Sequence, residues 1–210
     1  MDVSRQLDDT VNAPEKGPRA RTRRLMLETA TRLMQSGATP SVSEVAEAAE
    51  VSRATAYRYF PSQAALVQAV VDEALGPILT WSSGSKDAGR RVASLIDSSM
   101  PRIEEFEATF KAALKMSLEQ WAQRKAGTLG GEPEFRRGHR IDLLKDAIAP
   151  LEEKLGKRRF EKLAQALSLI FGVEVLIVLK DIWGLDPEET RLVARWAASA
   201  LVEAAMREAA

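Results

Sequence analysis

Residues 41–63 read SVSEVAEAAEVSRATAYRYFPSQ, and that run leaves the backbone few options. The Ser41 hydroxyl is placed to accept an amide proton at a helix start while Glu44, three residues on, reaches back to the Ser41 amide, so a helix begins there with a capping box. Val42, Val45, Ala46 and Ala49 then recur at steps of three and four, a narrow apolar stripe of small residues that another helix can cross closely. Val51 plugs a turn and Ser52 is a second N-cap. From it Arg53 to Phe60 make about two turns of helix before Pro61 and Ser62 end it and start a third. Two helices this short do not fold alone. Their partner lies upstream, where Met26, Leu27, Ala30, Leu33 and Met34 form one apolar face on a helix from about Arg19 to Ser36, with Gly37 placed to close it.

The exposed side of the second short helix carries Arg53, Thr55, Tyr57, Arg58 and Tyr59, which is the layout of a DNA-reading helix-turn-helix. Aromatic residues on an arbitrary helix are core residues first, and here Phe60 alone fits the core stripe. Tyr57 and Tyr59, two residues apart, point about 200° from each other and cannot share its face. Tyr57 is therefore read as a phosphate or base contact, and Tyr59 as a weaker candidate for the same role. Overall charge is silent on this point, because Lys+Arg and Asp+Glu are both 30. Local charge is more informative: from Pro18 to Leu75 every basic residue is Arg, the side chain suited to bidentate phosphate or guanine contacts. The cluster Arg19, Arg21, Arg23 and Arg24 is either a solvated tail or an arm reaching phosphates and the minor groove.

From Arg19 to about Leu75 the chain resembles the N-terminal domain of the tetracycline-repressor (TetR) family of bacterial transcription regulators. The resemblance rests on three runs in order: RRLMLETATRLMQSG, VSEVAEAAEVS and SRATAYRYFPSQAAL. It implies an all-α protein, with an N-terminal three-helix helix-turn-helix domain followed by a larger helical bundle that dimerises and encloses a small-molecule pocket. Carried onto this sequence, the DNA-facing positions are Arg19, Arg21, Ser41, Ser43, Ser52, Arg53, Ala54, Thr55, Tyr57, Arg58, Tyr59 and Gln63. Three positions depart from the family pattern. Glu50 stands where a turn glycine is usual, Ser43 replaces a common basic residue, and Gln63 replaces the lysine that commonly opens the fourth helix. A glutamate in left-handed geometry costs about 1–2 kcal/mol, so the turn is either adjusted or strained.

With 210 residues, 45% of them hydrophobic, the chain is long enough for a small domain and a larger one. Residues 1–17 are polar and end near Pro14 and Gly17, and are expected to be a mobile tail. The DNA-binding domain is placed at 18–75 and the effector-binding and dimerisation domain at 76–210. There is no cysteine and one histidine, His139, which removes thiol nucleophiles, thiolate zinc sites and multi-histidine metal sites. No metal or cofactor is expected. The polar, acidic start MDVSRQLDDT is unlike a secretory signal, and LSLIFGVEVLIVL at 167–179 is too short and too interrupted to span a bilayer, so a cytoplasmic protein is expected.

In the second part Gly76-Pro77 kinks or ends the fourth helix and WSSGS at 81–85 is a loop. Helices are expected from about Lys86 to Ser99, from Pro101 to about Gln123, from Phe135 to about Leu155 with an interruption at Pro150, from Lys157 to Trp183 without a break, and from Pro187 to about Glu208. The 157–183 helix is apolar on nearly all sides between Leu163 and Leu179, which fits dimer packing or a fully buried central helix. The resemblance implies a homodimer, and the apolar surface places its interface on the last two helices, with the small pair Ser168 and Gly172 at the close approach and Leu169, Val173, Leu176 and Trp196 around them. The resemblance also points to Met100, Phe106, Phe110, Met116, Trp121, His139 and Leu143 as effector contacts, each of which reads first as plain core. His139, between Arg137 and Arg140, is either an anion contact or a solvated helix-start residue. Glu174 is left to pair across a dimer or to face a pocket.

These readings converge on a homodimeric transcriptional repressor that binds a palindromic operator in double-stranded DNA and is released by a small-molecule effector. A helical sensor that has lost DNA contacts is the alternative that Glu50, Ser43 and Gln63 keep open. An enzyme is not expected, because one histidine, no cysteine and no distinctive carboxylate pair leave little to build catalysis from.

Overall fold

A computed structural model describes residues 17–131, 133–135 and 138–209, and no strand occurs among them. Most of the expected N-terminal tail therefore lies outside the described residues, as does Arg137. Ten α-helices follow one another: α1 Pro18–Gln35, α2 Val42–Ala48, α3 Arg53–Tyr59, α4 Gln63–Leu75, α5 Ala88–Glu105, α6 Glu107–Ala126, α7 His139–Ile148, α8 Glu152–Ser168, α9 Val173–Leu176 and α10 Pro187–Arg207.

The N-terminal unit forms as its caps dictate. Both halves of the Ser41–Glu44 capping box are present. The hydrogen bond from the Ser41 amide holds the Glu44 carboxyl below its ordinary range. Ser52 and Ser62 cap α3 and α4 through their hydroxyls. Met26, Ala30 and Met34 of α1 meet Val42, Val45 and Ala46 of α2, all but fully buried, and α4 closes the unit with Leu66, Val67 and Val70. The turn between α2 and α3 is strained as the sequence suggested it could be: Glu50 has φ 54°, the one positive φ among described non-glycine residues. α4 ends at Leu75 with Gly76 as its C-cap, as expected, and the chain continues as a 3₁₀ turn, Gly76–Thr80.

Two expected boundaries fail in the second part, for tertiary reasons. Pro101 does not open a new helix; it lies inside α5. A mid-helix proline costs about 3 kcal/mol, but Val92, Leu95, Ile96, Met100 and Ile103 form one buried stripe that runs past it, and the proline ring is on the exposed side. The break comes at Phe106 instead. The stretch Lys157–Trp183 is not one helix either. It divides at residues 169–172, where Gly172 takes φ 114°, and the axis bends by 49°. Beyond α9 the backbone widens into a π-helical segment, Ile177–Ile182, with Trp183 N–H donating to the Val178 carbonyl at 3.3 Å. Lys180 and Lys111 hold this segment to α6: Lys180 pairs with Glu107, and Lys111 bridges Glu107 and Asp181 at 2.6 Å each. The segment expected from Phe135 begins as a helix only at His139 and passes through a 3₁₀ turn, Ala149–Leu151, before α8.

Helices α5, α7, α8 and α10 pack together as the body of the second part, while α1 and α4 of the N-terminal unit rest on α6. No single described helix is long and apolar enough to cross a membrane.

Candidate nucleic-acid interface and adjoining cavity

The outer surface of the N-terminal unit brings the basic and hydroxyl residues together. On α3, Arg53, Ala54, Tyr57 and Arg58 are exposed, whereas Ala56 faces inward and Phe60 caps the helix from the core side. Tyr57 is 46% exposed, and its hydroxyl lies 3.3 Å from the Ser43 Oγ on α2, so the two helices share a polar contact on the outer face. Tyr59 differs from Tyr57. It is half-buried against the core, and the Arg58 guanidinium sits 5.6 Å from its ring centroid. Core packing on this helix thus includes Tyr59 and Ala56 as well as Phe60.

Several of the expected contact residues already have internal partners. The Ser41 and Ser52 hydroxyls accept backbone amides in their caps, and Ser52 Oγ also donates to Thr55 Oγ1 at 2.9 Å. Gln63 donates its side-chain amide to the Thr39 carbonyl at 2.8 Å, which fixes the loop ahead of α2. Arg19 and Arg21 project from the exposed side of the first turns of α1, and Arg23 lies 5.6 Å from the Phe60 ring, linking α1 to the end of α3.

On the opposite side, α4 forms one wall of a cavity of about 80 Å³. Its interior is apolar: Val71, Ile78, Ile103, Phe110, Leu143 and Phe171 are all buried lining residues. Its polar lining consists of Gln68, His139 and Arg140, each half-buried. Of the expected effector residues, Phe110, His139 and Leu143 line this space. Met100 and Met116 are buried elsewhere in the core, Phe106 packs under the Arg102 guanidinium at 4.6 Å, and Trp121 is exposed on α6. Sequence reasoning missed Gln68, Val71 and Leu75, although their three- and four-residue spacing along the fourth helix was a readable signal, and it missed Ile78 in the 3₁₀ turn that follows. It also missed Phe171 and Val173, which enter the lining only because the chain turns at Gly172.

Two polar clasps tie α4 to the second part. Asp72 Oδ1 lies 2.7 Å from His139 Nε2 and 2.7 Å from Gln68 Nε2. Near the C-terminus of α4, the Arg102 guanidinium donates to the carbonyls of Ala74 and Glu73 at 2.6 and 3.2 Å. Beside the first clasp, Arg140 donates to both Glu174 carboxylate oxygens, at 2.7 and 3.0 Å, and to the Ser168 carbonyl. Glu174 therefore pairs within its own chain.

The expected interface residues separate in the same way. Leu169 is 79% and Trp196 74% exposed. Val173 and Leu176 are buried in the protomer's own core, and a side chain at Gly172 would run into Arg140 and Glu174. Trp183, 72% exposed, and Ile182 extend the apolar surface from the π segment, and Leu192 extends it on α10, which packs on both α8 and that segment.

A capped three-helix unit with an arginine- and tyrosine-bearing outer helix, joined by its last helix to an all-α body, defines a helix-turn-helix DNA-binding regulator. Residues 26–70 match the family model for bacterial regulatory proteins of the tetR family. The N-terminal unit therefore carries the tetR-family helix-turn-helix domain of DNA-binding transcriptional regulators. Among solved structures it is similar to a TetR transcriptional regulator from Rhodococcus sp. RHA1, at 22% identity and a TM-score of 0.57 over 87% of this chain and 96% of that one, a likeness of fold. No curated protein sequence matches it.

Proposed function

We propose that the chain is a transcriptional repressor that binds a palindromic operator as a homodimer and leaves it when a small molecule occupies the cavity beside α4. In this reading residues 18–75 are the DNA-reading domain and residues 76–210 the effector and dimerisation domain. One observation carries it: α4 buries Leu66, Val67 and Val70 in the N-terminal unit and turns Gln68, Val71 and Leu75 to the cavity. A ligand that fits only one position of α4 shifts the population between DNA-binding and non-binding forms, because it favours the form it fits. Direct contacts come from Arg53, Ala54, Tyr57, Arg58, Arg19 and Arg21. Ser43 orients Tyr57, while Ser41, Ser52, Thr55 and Gln63 hold the helices that present them.

The dimer supplies the second recognition helix, and a palindrome is read when the two are about 34–36 Å apart. Leu169, Ile182, Trp183, Leu192 and Trp196 are the proposed contacts, since exposed apolar side chains on adjoining elements mark an interaction surface.

The test is selection of an operator from random duplexes, followed by binding measured against salt and by mass in solution. The four contacting arginines named above, on each of two protomers per site, give a slope of log K against log salt of up to about −7. Enrichment of no duplex at low salt would favour the alternative, a helical sensor without DNA binding. Enrichment of unpaired half-sites by a monomer would remove the palindrome.

A further inference from the structure

The lining of the cavity specifies what kind of molecule it takes, provided that it is the effector site proposed above. The apolar interior presents three phenyl rings, Phe110, Phe135 and Phe171, together with aliphatic side chains. Rings pack against such walls edge-to-face or offset, with area burial supplying most of the attraction. The space, about 80 Å³, is roughly half the ~150 Å³ in which a dry protein cavity accepts benzene. A single ring enters by pushing side chains back a little, and a fused polycycle does not.

The polar end decides the charge. Asp72 as a carboxylate only accepts, so Gln68 must present its NH₂ to Asp72 and His139 must carry its proton on Nε2. The 3.1 Å approach of Gln68 to His139 is then a result of both donating to one oxygen. That arrangement leaves the Gln68 side-chain carbonyl as an acceptor with no protein partner among the described residues. Arg140 uses part of its five-donor fork on Glu174 and Ser168 and keeps N–H groups to spare. Its charge is matched by Glu174, and Asp72 stands beside His139, so an added anion would meet two carboxylates flanking a cation that is already paired. An added cation would have to reach past Gln68 and His139 to Asp72, which is not a lining residue, and Glu174 is already paired with Arg140. The lining therefore offers a spare acceptor and a spare donor, and its one charged side chain, Arg140, already has its counter-ion.

We propose that the cavity binds an uncharged, single-ring molecule whose head group both donates and accepts a hydrogen bond, as a carboxamide or a hydroxyl does.

Benzamide, benzoate and benzamidinium share a ring and nearly a shape while carrying charges of zero, minus one and plus one. Saturation-transfer NMR and thermal shift on the full chain, without DNA and at constant ionic strength, should show benzamide bound at least about tenfold more tightly than either ion, a difference of about 1.4 kcal/mol. Ala113→Leu, which fills the cavity from α6, should abolish that binding, and Gln68→Leu, which removes the spare acceptor, should weaken it several-fold. The second variant guards against loss of fold in the first. Equal or tighter binding of benzoate or benzamidinium, no binding of benzamide, or unchanged benzamide binding in both variants overturns the proposal. Operator release is measured separately: benzamide that binds as expected without releasing DNA would leave the ligand class intact and sink the effector reading instead.

Discussion

Glu50 occupies a position that a glycine would fill more easily, and replacing it measures how much strain the turn stores. The end of α2 is a Schellman motif: the Val51 amide donates to the Ala46 carbonyl at 2.8 Å and the Glu50 amide to the Glu47 carbonyl at 3.1 Å. Those bonds need a left-handed residue at position 50, and Glu50 supplies it at φ 54° with its side chain exposed. A side chain there costs about 1–2 kcal/mol. Glycine removes that cost but loses about 0.4–1 kcal/mol through its greater freedom in the unfolded chain. Glu50→Gly should therefore be stabilising by about 0–1.5 kcal/mol, a rise in Tm of up to roughly 5 °C for a chain of this length. Glu50→Ala keeps a Cβ in the strained region and should gain nothing. Thermal and urea unfolding of the three proteins separate the effects. If Glu50→Gly melts clearly below the wild type, the strain argument fails; if Glu50→Ala falls with it, the carboxylate has a role of its own.

Three further outcomes are expected. Tyr57→Ala should weaken operator binding about tenfold, or about 1.4 kcal/mol, with little change in Tm because the side chain is 46% exposed; equal operator affinity would take Tyr57 out of the interface. Burial pushes the Glu107 carboxyl up, but Lys111 and Lys180 outweigh it and hold the group below its ordinary range, so its contribution is complete above the usual glutamate range and is lost as pH falls through the lower folded value. Glu107→Gln should flatten that acid limb in unfolding measured against pH, and an unchanged limb would mean that the lysine pairs contribute nothing there. Leu169→Glu together with Trp196→Glu should give a monomer by light scattering that no longer binds a palindrome, because like charges then face each other across the two-fold axis; a surviving dimer would move the interface to another face.

The N-terminal unit was legible because its signals are local. Ser41 with Glu44, Ser52, Ser62 and the small-residue stripe act within a few residues of one another, and the helices begin where those caps stand. Pro101 and the 157–183 run were misread because the deciding forces come from elsewhere in the chain. Pro101 is overridden by the buried stripe of α5, and the break at Gly172 is fitted around Arg140, which approaches from α7. The cavity was half legible for the same reason. Phe110, His139 and Leu143 could be named because the family resemblance points to the helices that carry them, but the Arg140–Glu174 pair joins residues 34 apart, and no periodicity encodes it.

On the proposed function, because α4 serves two cores at once, its residues are poor places to alter which molecule the protein answers to. A change at Val71 or Leu75 would reshape the cavity and also move the helix on which Leu66 and Val70 seat the DNA-reading unit, so the ligand-free affinity for the operator would drift with the ligand preference. Leu143 on α7 and Phe171 at the break carry no such double duty, whereas α6, which carries Ala113, also supports α1 and α4. Diversification of specificity, natural or engineered, has its cheapest routes through those two walls, while α4 is held in place by what it does on its other side.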